Sequence, residues 1–415
     1  MNTVVNMVKR NEIHLYLLAL LPILSLAMVS IAIIIFSTIS LLLYIVNKNT
    51  NYKTNKKNWI QFFLFSLLFF FYVVSLLWSD NLLIGLQIIE KSLSFLIIPL
   101  VIFILKPFKN RNQLVLFNRV FILSSVFLVI LTTIYILNTV SNIFNGNNYS
   151  KITNLRDAIE LTPLIGEHPI YFAFITAVGI LLLYYNKFKT KILNHLCAVI
   201  LIFGLMLASS KGVIIAVVIV TIIIIFQEIK NKINAILALI IFAIGVSALV
   251  YFSPLKSRIE KEIIENKFTY PEGIHYNSTN LRTAIYNCSF SLVQKSGLIG
   301  FAPADIQQEL NECYKKFNTP AFKKTNYNTH NQYLDYLLSF GIIGLLLILF
   351  VFFYYLKIAI VNKDNLHLNF LILLYIVLFT ENILSRNTGI VLFVTFNSLF
   401  GYFNLQSLRQ KHDNS

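Results

Sequence analysis

The chain has 415 residues, 57% of them hydrophobic and only 13% charged, with 36 Phe and a formal net charge of +16. Soluble domains carry about 25% charged residues, so this composition, with a mean hydropathy of +0.72, excludes a water-soluble globular enzyme. Nine Pro and 14 Gly equally exclude a collagen-like or glycine-rich disordered chain.

A transmembrane helix needs about 20 apolar residues. The first apolar run, Ile13 to Val46, is too long for one crossing and suits two short ones, with a turn near Pro22 and Ser25 to Ser30. Its length, and the lack of a small-residue cleavage site after it, read as a span rather than a cleaved signal peptide. Further apolar runs follow at 59–78, 82–105, 113–139, 167–185, 192–208, 212–228, 233–253, 332–356, 366–384 and 388–404. The total is about 12 spans. None shows a period of two, so the expected fold is an all-α polytopic membrane protein.

Lys and Arg set the orientation. With the N-terminus (Lys9, Arg10) in the cytoplasm, the basic loops at Lys48 to Lys57, Lys106 to Arg111, Lys187 to Lys191, Lys230 to Lys232 and Lys357 to Lys363 fall on that side, as do Arg409 and Lys411 of the tail. The basic excess is then mostly a topology signal, which argues against nucleic acid as a partner. The expected organisation is residues 1–253 as helices 1–9, 254–331 as one large outer loop, and 332–415 as helices 10–12 with a cytoplasmic tail. A second outer segment runs from about 140 to 166. Within the large loop, helical pieces are expected at Leu255 to Lys267, Asn280 to Lys295 and Pro303 to Phe317.

Chemistry is sought where polar residues end apolar runs on the outer face. Thr329-His330-Asn331-Gln332 opens the tenth span, followed by Gly341 and Gly344. Eleven residues make three turns plus about 20°, so His330, Gly341 and Gly344 are expected on one helix face, where the glycines admit a close neighbour. Thr329 reads as the N-cap, which puts His330 in the first helical turn and favours a neutral imidazole. An interfacial histidine that merely ends a span is the plainer alternative. Arg282 lies just inside a helix expected to be capped by Ser278 or Thr279, a good anion site; a solvated loop arginine is the alternative. Lys211, in Ser209-Ser210-Lys211-Gly212, is a cation on the face that the orientation rule leaves poor in cations. Arg386 is another, with Glu381 as its expected partner. Glu90 and Lys91 lie inside a span, either on a transport path or in a structural polar contact. Cys288 and Cys313 share the outer loop and are candidates for a disulfide, while the three cysteines show no zinc-ligand spacing.

Together these residues give the chain a resemblance to the O-antigen ligase/polymerase superfamily of bacterial envelope glycosyltransferases, the ligases in particular. It rests on His330-Asn331-x9-Gly341-x2-Gly344, Ser210-Lys211-Gly212, Asn280-Leu281-Arg282, Gly166-Glu167-His168-Pro169, the Glu381 to Gly389 turn, and the large outer loop before the tenth span. The resemblance implies a GT-C-like fold in the bacterial inner membrane, with both termini cytoplasmic and a periplasmic active site. It implies inverting transfer of a glycan from undecaprenyl diphosphate, with no cofactor or metal, to lipid A–core or another glycan or protein acceptor. His330 would activate the acceptor hydroxyl, and Arg282, Lys211 and Arg386 would hold the diphosphate. Asn331, Gly341, Gly344, Ser210, His168 and Glu381 would support them. Lys211 stands where the family pattern has arginine, so it keeps the charge and loses the bidentate fork. A polymerase of the same superfamily is the nearest alternative. A transporter should show repeat halves and paired charges at mid-membrane, and only Glu90 and Lys91 answer to that.

Overall fold

A computed structural model of the chain describes residues 12–46, 56–139, 155–163, 165–253, 256, 259–260, 269–274 and 276–413, with side chains to residue 406. Lys9, Arg10, Lys48, Lys53, the side chains of Arg409 and Lys411, and nearly all of the expected helix at 255–267 lie outside the described residues. Within them the fold is all-helical. A 3-10 helix, Ile13–Ile23, contains Pro22 and ends in a two-residue turn before α1 (Leu26–Val46), so the first apolar run does divide near Pro22. There follow α2 (Lys56–Ser75), α3 (Leu82–Ser92), α4 (Ser94–Pro99) with a π turn over Leu100–Leu105, and α5 (Arg111–Thr139). Next come α6 (Pro169–Tyr185), α7 (Lys191–Ala208), α8 (Lys211–Glu228) and α9 (Lys232–Phe252). The segment between α9 and the next long helix supplies α10 (Ser278–Ser296) and α11 (Ile306–Tyr314); α12 (Gln332–Val361), α13 (Asn365–Leu378) and α14 (Asn387–Asp413) follow.

Nine of the described helical stretches are long and apolar enough to cross a membrane. The 3-10 helix, α6 and α13 are apolar but shorter, at 11, 17 and 14 residues. The expected span at 366–384 is cut short because α13 ends at Leu378. The polar run Thr380-Glu381-Asn382 then forms a turn and Ile383–Ser385 a single 3-10 turn. The expected span at 82–105 is also interrupted, at Leu93. Glu90 and Lys91 are exposed there, and Gly85 of the same helix faces Ala304, between α10 and α11.

The bundle is built around α14, whose segment Asn387–Gln406 is 94% buried against 6% for α9. Aromatic contacts explain that centrality. Phe393 of α14 meets Phe65 of α2, Phe95 of α4 and Phe352 of α12. One turn on, Phe396 meets Phe117 and Phe121 of α5 and Phe370 of α13. Most of these contacts are edge-on, the geometry the ring quadrupole favours, and each is worth about 1 kcal/mol beyond area burial.

At one end of the bundle the segment 269–331 forms a small cap. Its core joins Ile285, Cys288 and Leu292 of α10 to Ile306, Leu310 and Tyr314 of α11, and takes in Leu338 from α12. Cys288 and Cys313 are disulfide-bonded, with Cα atoms 5.8 Å apart. Labelling under denaturing conditions is expected to find one reactive thiol, Cys197, which is buried in the native bundle; three reactive thiols would mean the bridge is absent. The cap is also joined to the bundle through backbone. Phe301 and Ala302 donate to Leu338 O (2.8 Å) and Ser339 O (3.0 Å), and Ile343 donates to Leu298 O (3.3 Å). Such closeness requires glycine at two places. A Cβ on Gly300 would lie 2.4 Å from the carbonyl carbon of Ser339, and one on Gly341 would lie 2.2 Å from that of Leu298. Both have positive φ, +74° and +63°, which glycine adopts without steric cost. Gly341 therefore breaks α12 rather than lining a helix face, which corrects the expected His330, Gly341 and Gly344 stripe. Gly344 sits one turn later against the side chain of Phe340.

Candidate functional site

Helix ends from distant parts of the chain meet beneath the cap: the starts of α6, α8, α10 and α12, and the turn between α13 and α14. Hydrogen bonds sew them together. Tyr171 of α6 donates to Asn382 O (3.1 Å), and Thr388 donates to Glu167 Oε1 (2.6 Å). The Asn382 amide reaches Thr329 Oγ1 (3.0 Å) and Asp335 Oδ1 (2.8 Å), and Leu384 N donates to Gln332 Oε1 (2.7 Å). Gly212 permits α8 to start against Thr380, whose Oγ1 would lie 2.2 Å from a Cβ there.

His330 is fixed by its backbone before its side chain is considered. Its φ is +46°, in the left-handed region, which histidine tolerates better than most residues. The side chain of Asn328 accepts from His330 N at 3.0 Å. The N-cap of α12 is Asn331, which accepts from Tyr333 N (3.0 Å) and Leu334 N (3.1 Å). Thr329 is not the cap; its hydroxyl donates to Asn331 O at 2.9 Å. His330 thus precedes the helix instead of standing in its first turn. A carboxylate takes over the orienting role: Nδ1 of His330 lies 3.0 Å from Glu381 Oε2. With the proton on Nδ1, the ring donates to Glu381 and leaves Nε2 as an acceptor.

The other Glu381 oxygen pairs with the Arg282 guanidinium. Burial alone pushes this carboxyl up, but the His330 hydrogen bond and the Arg282 charge outweigh it and hold Glu381 below its ordinary value. Glu381 was expected to pair with Arg386 and does not. Arg386 is exposed, with its guanidinium 5.6 Å from the Tyr171 ring centre. Arg282 is carried by α10, whose cap is Asn277 rather than Ser278 or Thr279. The Asn277 side chain accepts from Thr279 N and Asn280 N while Asn280 Oδ1 accepts from Asn277 N, a reciprocal capping box.

These groups border a cavity of about 610 Å³ lined by Arg156, His168, Ser210, Lys211, Arg282, His330 and Glu381, among others. Three cations face one carboxylate, and the starts of α8 and α10 both contribute to the wall. The dipoles of the two helix N-termini add to that positive character. The arrangement is suited to an anion with several oxygens, placed beside a histidine with one nitrogen open. His168 caps α6 through Nδ1, which accepts from Ile170 N at 3.4 Å. Burial, reinforced by Arg386 and Arg156, lowers it to about 4, so it is neutral at neutral pH.

Of the residues singled out in the sequence, the fold gathers His330, Arg282, Lys211, Ser210, His168 and Glu381 around the cavity. Arg386 stands at its flank beside Tyr171, Asn331 serves as a cap, and Gly341 and Gly344 shape α12. Arg156 was not foreseen. It lies in a short helix at 155–160, and its guanidinium donates to Ala208 O at 2.7 Å, holding the α7–α8 turn that presents Lys211. The signal that marked Lys211, a cation on the cation-poor face, applied equally to Arg156. Among the described residues no three His, Cys, Asp or Glu side chains come together as a metal-ligand group.

A family model described as O-antigen ligase matches residues 196–349, from α7 through the cap into α12. The matched stretch holds Lys211, Arg282 and His330 and agrees with the superfamily resemblance those residues carry. No curated protein sequence matches the chain. The family match and the helical bundle support a glycosyltransferase-like, multi-pass membrane enzyme whose substrates are, in general terms, a lipid-linked glycan and an acceptor.

Proposed function

We propose that the protein transfers a glycan from undecaprenyl diphosphate to an acceptor hydroxyl on the periplasmic face of the bacterial inner membrane, with lipid A–core as the acceptor. The observation that carries this reading is the juxtaposition of His330 and its Glu381 partner with Arg282, Lys211 and Arg156 around one cavity. In this reading Nε2 of His330 takes the proton of the acceptor hydroxyl as its oxygen attacks the anomeric carbon. The bond from that carbon to the diphosphate oxygen breaks, with inversion at the carbon. The departing diphosphate keeps the bonding electrons, and Arg282 and Lys211 bind its developing charge. A diphosphate is a good leaving group, so charge stabilisation and one positioned base suffice, without a carboxylic acid pair. Glu381 holds the imidazole in the required tautomer and stabilises the imidazolium that follows.

Two measurements test the reading. In a deletion strain, long glycan chains are expected to accumulate on the lipid carrier while the lipid A–core stays bare. Cores capped with a single repeat unit would instead mark a polymerase. In detergent, EDTA is expected to leave the transfer rate of the purified enzyme unchanged; activity lost to EDTA and restored by a divalent ion would overturn metal independence.

A further inference from the structure

A second, smaller cavity of about 120 Å³ lies under the cap, bordered by Tyr72, Lys91, Gln307, Asn328, Asp335 and Ser385 among others. It is distinct from the cavity of His330, and the segment 327–330 separates the two. Tyr327 and His330 line the larger one, while Asn328 between them lines the smaller. Asn382 links the two sides, since its neighbour Glu381 holds His330 while its own amide donates to Asp335 Oδ1 at 2.8 Å.

The polar groups here offer both donors and acceptors. Asp335 Oδ2 accepts from Gln332 and from Ser385, each at 3.2 Å, which with the Asn382 contact uses three of about four acceptor positions on a carboxylate. Gln307 donates through Nε2 to Asn311 Oδ1 (2.9 Å) and Tyr327 O (3.1 Å), so its Oε1 is the atom left for the cavity. The Asn328 oxygen is taken by His330 N, leaving its amide hydrogens as donors. Lys91 supplies an ammonium and Tyr72 an aromatic ring. A carboxyl group and an ammonium on one wall suit a neutral polyol, whose hydroxyls donate to the first and accept from the second. The space equals about four waters at ~30 Å³ each, enough for one face of a sugar ring.

The geometry points to this cavity as a subsite for one sugar unit of a glycan, remote from the bond being transferred, with hydroxyls held by Lys91, Gln307, Asn328 and Asp335. It rests on the glycan-transfer reading above and extends it. The sugar belongs to either the donor chain or the acceptor, and kinetics separates the two. Lys91 is exposed and Gln307 half-buried, so Lys91→Ala and Gln307→Ala are expected to fold as wild type. The substrates for the assay are the lipid-linked glycan and the envelope glycolipid, both extracted from a strain lacking the enzyme. Each variant should raise KM for one of the two substrates about 3- to 10-fold, as for loss of one hydrogen bond, with kcat within about twofold of wild type. The substrate whose KM rises is the one that occupies the cavity. If both KM values stay at wild type in both variants while wild-type transfer proceeds, the subsite is overturned. If the wild-type enzyme transfers nothing between these fractions, the glycan-transfer reading itself fails, and the subsite with it.

Discussion

Replacing His330 with alanine is expected to reduce glycan transfer by about 10²- to 10⁴-fold, the range that a positioned general base supplies. Affinity for the lipid-linked donor should change little, because the cations that face the cavity are carried by other elements: α8, α10 and the 155–160 helix. The substitution leaves the N-cap at Asn331 and the Asn382 network in place, so insertion and expression should match wild type. Glu381→Gln is the informative companion. It keeps the shape beside Nδ1 of His330 and beside Arg282 but removes the charge, so the imidazole loses its fixed tautomer and the imidazolium its counter-charge. A rate between those of wild type and His330→Ala is expected. Transfer near the wild-type rate by His330→Ala, at equal expression and in the same membranes, would remove the histidine from the mechanism.

Loss of the guanidinium at Arg282 should act on the donor instead. A hydrogen bond to a charged group contributes about 1.5–3 kcal/mol, so Arg282→Ala should weaken donor binding by roughly 10- to 150-fold. Arg282→Lys should restore only part of that, because an ammonium keeps the charge without the planar fork that suits a diphosphate. At Lys211 the order reverses: Lys211→Arg should be tolerated and Lys211→Glu should not. Donor affinity measured with detergent-solubilised protein decides the matter. Wild-type affinity in both Arg282→Ala and Lys211→Glu would place the diphosphate elsewhere.

The helices were legible in the sequence because apolar runs in a membrane leave the backbone few alternatives. The gathering of His330, Arg282 and Lys211 at one end followed from counting spans. What the sequence hid was of two kinds. Local competition between adjacent capping residues misled twice: Asn331 rather than Thr329 caps α12, and Asn277 rather than Ser278 or Thr279 caps α10. In both cases the asparagine side chain reaches two backbone amides, which the hydroxyl neighbours do not match. Long-range pairing was invisible for a different reason. Glu381 bonds to residues 51 and 99 positions away, while Arg386, five residues along, was the nearest partner that local reading could offer. Gly341 was singled out correctly as a point of close approach, but the approaching element is the backbone of residues 298–302 and not another helix.

That backbone junction has a practical consequence for anyone exchanging parts between related enzymes. Leu338 packs in the cap's core, and the carbonyls of Leu338 and Ser339 accept from Phe301 and Ala302. The opening turns of α12 therefore travel with the cap, although by hydropathy they read as membrane span. A graft cut at residue 331 would part a donor cap from the helical turns it is bonded to and leave those carbonyls facing a foreign surface. Carrying the exchanged piece through Gly344 keeps the junction within one parent sequence.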